Sequence, residues 1–127
     1  MNRANIVFVY GSLKREFPNH YLLREQEPLG EAIIKGTMIS LKFFPGVVAC
    51  GNDTIKGELY LVDDETMKRL DHLEGHPSFY KRVWVNAESI EPETSGNVFP
   101  AWCYCLPERY LQDSHYPRIS EGVWKQK

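Results

Sequence analysis

The stretch Ile6-Val7-Phe8-Val9-Tyr10-Gly11-Ser12-Leu13-Lys14 begins as an apolar run and breaks off at Tyr-Gly-Ser. The run is too short for an ordinary helix, so it predicts a buried β-strand that ends in a tight glycine turn. Gly11 has no Cβ atom, so the chain can turn sharply and a ligand can reach the backbone amides. Residues 11–14 are therefore a candidate anion cradle. The alternative is that Gly11 only ends the strand.

The composition is that of an ordinary globular protein. The chain has 127 residues, 43% of them apolar and 25% charged, and we expect one domain over residues 1–127. Its apolar runs are too short to span a bilayer, and Met1–Asn5 lacks the apolar core of a signal peptide, which predicts the cytoplasm. A net charge of -2 without a basic stripe argues against a nucleic-acid partner.

Three cysteines, Cys50, Cys103 and Cys105, have a spacing that matches no disulfide framework, zinc pattern or redox pair. Cys103 and Cys105 are separated by one residue, which puts them on the same face of a strand. We predict reduced thiols in or near the core, with a catalytic cysteine as the weaker alternative.

The remaining periodicity predicts five or six strands and one long helix, hence an α+β fold. With so few helices to cover a flat sheet, we expect the sheet to curl into a barrel. Pro18 and the leucines after it predict a short helix, and the tail from Pro107 has little periodicity. Strands are predicted at 31–41 with a kink at Gly36, at 47–49, 55–62, 80–87 and 98–106, and turns at Pro45-Gly46 and Gly51-Asn52-Asp53.

The long helix is predicted over Asp63–Gly75. Acidic residues at its start favour the positive end of the helix dipole, and Gly75 stops it. Met67, Leu70 and Leu73 form its apolar stripe, which we expect to face the core. Asp71 and Lys68 fall on the opposite, solvated face.

Glu74 is misplaced on this helix, because at about 100° per residue it projects only about 20° from Met67. Its carboxylate should therefore point toward apolar side chains, which would raise its pKa and suit it to proton transfer near neutral pH. The alternative is a solvated glutamate at a helix end.

Other catalytic chemistries find little support. Asp71, His72, Glu74 and His76 suggest a metal site, but Gly75 should end the helix and separate the two histidines. His20 and His115 are isolated, and Ser12 lacks the second glycine of a nucleophile elbow.

Several stretches point jointly to one family: residues 9–15, 57–60 and 70–82, supported by residues 44–46, 101–104 and 119–124. In order and spacing they resemble the γ-glutamylcyclotransferase-like family, in particular its γ-glutamylamine cyclotransferase branch. One departure is Glu16, where the family often has a glycine.

The resemblance implies a small mixed β-barrel of about six strands with one main helix and one or two short helices. It also implies a reaction in which the α-amine of a γ-glutamyl group attacks its own γ-carbonyl, releasing an amine and 5-oxoproline. Because the attacking amine is tethered to the carbonyl, this chemistry requires no protein nucleophile, metal or cofactor. The resemblance therefore implies that the protein uses no cofactor.

The resemblance assigns roles to the cavity residues. Glu74 is the expected general acid/base, and the amides of Gly11, Ser12 and Leu13 are expected to hold the substrate α-carboxylate. Tyr10 and Tyr104 are candidates for phenol hydrogen bonds in the cavity. Tyr80 is a weaker candidate, and a buried structural tyrosine is an equally good interpretation.

Two rival functions remain open. One is a non-catalytic module that binds a carboxylate ligand, although an interior Glu74 would penalise an anion there. The other is a structural barrel that binds a protein through exposed aromatics such as Trp124 and Tyr116. The expected partner is a small-molecule γ-glutamyl substrate, with no nucleic acid and no membrane, for a monomer or weak dimer.

Overall fold

The computed structural model describes residues 5–125, whose strands close into a five-stranded barrel. The strands are β1 (Asn5–Val9), β2 (Glu27–Ser40), β3 (Pro45–Val62), β4 (Lys81–Ser89) and β5 (Val98–Cys105), and helix α1 (Asp64–Glu74) connects β3 to β4. Two short 3-10 helices, the first at Pro18–Leu23 and the second at Glu108–Gln112, complete the secondary structure. The segment on which the absence of a signal peptide was argued lies mostly outside the described residues. No helix within 5–125 is long and apolar enough to cross a membrane.

The barrel order is β1-β3-β2-β4-β5, with β5 returning to β1. All neighbouring strands are antiparallel except β1 and β5, which run parallel with Val7 opposite Trp102. The expected mixed barrel with one main helix and short helices is thus confirmed.

Strand β1 is buried on both faces. Phe8 and Tyr10 belong to the core cluster that fills the barrel, whereas Val7 and Val9 belong to a second cluster that includes Leu70 of α1. A strand that is covered on both sides reads as a continuous apolar run instead of alternating, which explains the predicted buried strand.

The strand count of about six is one too high, because residues 45–62 form a single strand. The turn expected at Gly51-Asn52-Asp53 is instead an irregularity inside β3: Gly36 of β2 lies opposite Asp53, whereas Thr37 lies opposite Val48. Four residues of β3 between these pairs have no partner in β2, and the kink predicted at Gly36 is confirmed.

The turn expected at Pro45-Gly46 lies earlier in the chain. Pro45 already pairs with Ser40 across the β2–β3 ladder. The chain reverses at residues 41–44, where the Leu41 N–H donates to the Phe44 carbonyl at 2.9 Å. A Pro-Gly pair signals a nearby turn but does not by itself fix which residues occupy its centre.

Helix α1 has the predicted boundaries and caps. The Asp63 side chain accepts a hydrogen bond from the Thr66 N–H at 2.7 Å. Gly75 adopts the left-handed conformation, with φ of 66°, and its N–H donates to the His72 carbonyl. Gly75 therefore ends the helix directly after Glu74.

The carboxy-terminal tail packs back onto the barrel. The Ile119 N–H donates to the Met38 carbonyl at 2.8 Å, and the Lys56 N–H donates to the Gly122 carbonyl at 2.9 Å. Trp124 is only 5% exposed and belongs to the barrel core, so the expectation of an exposed Trp124 is wrong. Backbone hydrogen bonds to β2 and β3 hold this tail, which explains why it shows no periodicity.

The cysteines are free thiols, as predicted. Cys103 and Cys105 are buried and Cys50 is half-buried. Cys103 and Cys105 both belong to the cluster inside the barrel, so they share one strand face.

Replacing Leu70 by alanine should lower the free energy of unfolding by about 2–5 kcal/mol, because its side chain is fully buried in the cluster under α1. Urea unfolding followed by circular dichroism measures the change. Leu73→Ala is the matched control on the same helix. Leu73 is 40% exposed, so its loss should be about 1 kcal/mol or less. Equal losses in the two variants would contradict the assignment of the buried face.

Candidate active site

A cavity of about 370 Å³ opens where the end of β1, the start of β3 and the end of α1 meet. All seven residues that the sequence proposed for the site line it: Tyr10, Gly11, Ser12, Leu13, Glu74, Tyr80 and Tyr104. The fold thus brings together two segments more than 60 positions apart in the sequence.

The residues 11–13, here called the cradle loop, follow β1 directly. In the part of the chain that the structure describes, their backbone N–H groups donate to no protein acceptor, whereas their carbonyls do accept. Gly11 accepts from the Lys14 N–H at 3.0 Å, and Ser12 accepts from the Asn19 N–H at 2.9 Å. The loop therefore has its acceptors occupied and its donors available, as an anion site requires.

The first 3-10 helix holds the cradle loop in place. The Asn19 side-chain amide donates to the Ser12 hydroxyl oxygen at 2.8 Å. His20 Nδ1 lies 2.9 Å from the Leu13 carbonyl, so this nitrogen must carry the proton. Asn19 was not singled out from the sequence, because a contact between neighbouring loops leaves no periodic signal.

Close approach to Pro45 favours glycine at position 11. A Cβ atom at this position would lie 3.0 Å from Cγ of Pro45, at the start of β3. The absence of a side chain thus lets the turn pack against β3, and it keeps the amides accessible from the cavity.

Glu74 is the last residue of α1, and its half-buried side chain lines the cavity. Burial among apolar and aromatic side chains raises the pKa of its carboxyl group to about 7. Among residues 5–125 no side chain forms a hydrogen bond or ion pair with this carboxyl group. The group is therefore uncompensated and near its midpoint at neutral pH.

The phenol of Tyr10 is engaged within the protein. Its hydroxyl donates to the Tyr104 carbonyl at 2.6 Å and accepts from the Val47 N–H at 3.2 Å. Burial, the largest influence, raises the pKa of Tyr10 well above its ordinary value. Tyr10 therefore joins β1, β3 and β5 and offers the cavity its ring.

Tyr80 and Tyr104 also donate their phenol protons to protein acceptors. The Tyr80 hydroxyl donates to the Pro45 carbonyl, and the Tyr104 hydroxyl donates to Oδ1 of Asp71 at 2.7 Å. Burial raises the pKa of both phenols, so both remain protonated. Since each single proton is already placed, each phenol oxygen can serve a ligand only as a hydrogen-bond acceptor.

Asp71 was interpreted as part of a solvated face, and this is wrong. Its side chain is about a quarter exposed, accepts from Tyr104 and forms an ion pair with Nε of Arg82 at 3.2 Å. The guanidinium of Arg82 in turn lies 4.7 Å from the ring centroid of Trp102. Lys68 is exposed, as expected.

The mouth of the cavity is lined by apolar side chains, which we call the rim: Phe43, Phe44, Leu73 and Phe79. Leu73 was expected to face the core, but it lies here, partly exposed. The rings of Phe44 and Phe79 meet edge to face with centroids 6.2 Å apart. Sequence reasoning missed the rim, because its members come from a turn, a helix end and a loop.

The polar groups on α1 do not form a ligand cluster. His72 is exposed, and His76 Nδ1 accepts from the Arg82 N–H at 3.1 Å. Within residues 5–125 no three histidine, cysteine, aspartate or glutamate side chains converge.

The cavity combines amide donors for an anion, phenol acceptors and one carboxyl group able to carry a proton at neutral pH.

Known proteins are similar to this chain in sequence and in fold. Residues 7–126 match the family described as gamma-glutamyl cyclotransferase, AIG2-like. The gamma-glutamylaminecyclotransferase of Rattus norvegicus is 33% identical over 102 residues, covering 71% of this chain and 68% of its own. The solution structure of the YtfP protein of Escherichia coli is 30% identical, with a TM-score of 0.66 over 94% of this chain and 95% of that one.

The crystal structure of an AIG2-like protein from Mus musculus supports the fold. It has a TM-score of 0.78 over 97% of this chain and 89% of that one, at 22% identity. The family match spans nearly the whole chain, including the cradle loop and Glu74. The chain therefore belongs to the γ-glutamylcyclotransferase family, in its AIG2-like branch.

Proposed function

We propose that the protein converts a γ-glutamyl amide into 5-oxoproline and a free amine, with Glu74 as the general acid/base. One observation carries the proposal. Within residues 5–125, the free N–H groups of the cradle loop and the unpaired carboxyl group of Glu74, with a pKa of about 7, open into the same cavity. The relative from Rattus norvegicus, named gamma-glutamylaminecyclotransferase, supports the same reaction class.

Binding begins at the cradle loop. The N–H groups of residues 11–13 donate to the substrate α-carboxylate, and such charge-assisted bonds are stronger than those between neutral groups. The α-ammonium then lies among acceptors, which are the Glu74 carboxylate and the Tyr104 phenol oxygen. In this bound pose the α-nitrogen lies next to the γ-carbonyl group that it attacks.

Glu74 then moves the protons. Its carboxylate takes a proton from the α-ammonium, and the freed amine attacks the carbonyl carbon of the γ-amide to form a five-membered ring. Glu74 donates this proton to the leaving nitrogen as the bond between the carbonyl carbon and that nitrogen breaks. The regenerated carboxylate then takes the second proton from the ring nitrogen and passes it to the released amine. Both protons end on the leaving amine, which departs as an ammonium ion, so Glu74 returns to its carboxylate form.

A carboxylate-binding module without activity is the second candidate, favoured by the same free amides. It gives no role to Glu74, because a second carboxylate beside a bound anion would weaken binding. The uncompensated carboxyl group therefore favours the enzyme.

Glu74→Gln should lower kcat/KM for 5-oxoproline release from γ-glutamyl amides by at least about 100-fold, because the amide cannot carry the proton. A panel of γ-glutamyl amines and dipeptides, with 5-oxoproline quantified by chromatography, makes the measurement. Glu65→Gln is the matched control: Glu65 lies on the same helix, is solvent-exposed and, in the described part of the chain, pairs only with Arg69. Undiminished turnover in Glu74→Gln, with wild-type circular dichroism, would refute the role of Glu74.

The wild-type kcat/KM should rise with pH and level off above about 7, since only the deprotonated Glu74 accepts the first proton. Initial rates measured from about pH 5 to pH 9, at intervals of about one pH unit, define the rising part of this pH profile. An activity limb centred near the ordinary glutamate pKa of about 4.3 would contradict a buried base.

The same pKa is observable without substrate. A raised pKa in the folded state means that wild-type stability falls as pH rises from 4.5 to about 7, because ionisation is disfavoured only in the folded protein. Relative to Glu74→Gln, the wild type should therefore have a lower Tm at pH above this window and an equal Tm below it. Parallel Tm profiles for the two proteins would contradict the shift.

Substrate lacking the α-carboxylate should react poorly. Amides of 4-aminobutyrate can form the corresponding lactam, but they lose hydrogen bonds to the cradle loop, each worth about 1.5–3 kcal/mol. With two such bonds lost, we expect kcat/KM to fall at least about 100-fold. Equal lactam release from both compounds would show that the cradle loop does not bind the carboxylate.

A further inference from the structure

The cavity lining separates by exposure into a floor and a mouth. The floor holds Tyr10, Leu13, Tyr80 and Tyr104, all buried, together with the half-buried Glu74. The rim is exposed, with Phe43 the most open at 75%. Four of the nine large hydrophobic side chains exposed within residues 5–125 thus surround this one opening.

If the proposed function is correct, on which this inference rests, the rim faces the leaving amine. The α-carboxylate and the reacting atoms are held at the floor by the cradle loop and Glu74. The leaving nitrogen is bonded to the carbonyl carbon of the γ-amide, and its substituent extends toward the opening through which the amine departs. The rim side chains are therefore the ones that contact this substituent.

The rim has the chemistry of an aromatic site. Three of its four members are phenylalanines, and the Phe79 ring also meets the Tyr80 ring, with centroids 4.8 Å apart. Aromatic rings favour such edge-to-face partners over aliphatic ones of equal area. A flat ring entering beside Phe44 and Phe79 would extend an array that already exists.

The charges around the rim disfavour a cationic substituent. Within residues 5–125, Glu74 is the only residue of the lining with a carboxylate, ammonium, guanidinium or imidazole group, and the proposed reaction uses it at the floor. Beside the mouth, the Lys42 ammonium lies 5.2 Å from the centroid of the Phe43 ring. A second ammonium on the leaving amine would meet this like charge and no free carboxylate of the lining.

We infer that the rim is a specificity site for an aromatic leaving amine, so that the substrates are γ-glutamyl amides of arylalkylamines and not of diamines or the lysine side chain. Because the rim lies away from the reacting atoms, it contributes equally to binding of substrate and transition state. Its loss should therefore appear in KM rather than in kcat.

The experiment compares four γ-glutamyl amides that differ only in the leaving amine: phenethylamine, hexylamine, ethylamine and cadaverine. We expect kcat/KM for the phenethylamide to exceed that for the ethylamide and for the cadaverine amide by about tenfold or more, with the hexylamide intermediate. In Phe43→Ala and Phe79→Ala, the ratio of phenethylamide to ethylamide should fall about fivefold through KM. Phe43→Glu should raise the relative turnover of the cadaverine amide.

Trp84→Ala is the control, since Trp84 is an exposed aromatic on β4 outside the cavity lining, and it should leave the ratio unchanged. Equal kcat/KM for phenethylamide and hexylamide, or a preference for cadaverine, would overturn the aromatic site while leaving the cyclotransferase proposal intact. Turnover of none of the four amides, nor of any γ-glutamyl dipeptide, would instead overturn the proposed function.

Discussion

Strand β1 is buried between the barrel interior and helix α1, and this double burial determines where the cavity forms. Phe8 points into the barrel while Val7 and Val9 pack under the helix, so the strand has no solvated face and only one register. Its end therefore lies at a fixed position, and the cradle loop leaves from it. Because α1 covers the same strand and ends at Gly75, the carboxyl group of Glu74 is placed beside that loop.

Two carboxylates on α1 show how environment separates structural from chemical roles. Asp71 has a phenol donor and a guanidinium, and it fixes Tyr104 at the cavity wall. Glu74, less than one turn later, has neither among residues 5–125, and its burial disfavours the ionised form. The side chain that lacks partners is the one with a pKa of about 7.

Sequence patterns identified the elements of this molecule that have a periodic or continuous apolar pattern or a local signal at their ends. The two-sided burial of β1 appears as an apolar run, and the cap and stop of α1 at Asp63 and Gly75 are local signals. Sequence patterns could not predict the features that depend on contacts between segments far apart in the sequence. The continuity of β3 is imposed by its pairing with β2 on both sides of the unpaired residues 49–52. Asp71 is paired by Arg82 on another strand, and the rim is assembled from three separate loops and ends.

The tether between Lys14 and the tail has a consequence for how the protein is made. The Lys14 ammonium, buried next to the cradle loop, donates to the Trp124 carbonyl at 2.8 Å across 110 positions of sequence, and β1 needs β5 as its parallel partner. During synthesis the amino-terminal end emerges first. The cradle loop therefore leaves the ribosome well before Trp124 does, and it gains this support only after Trp124 has been translated.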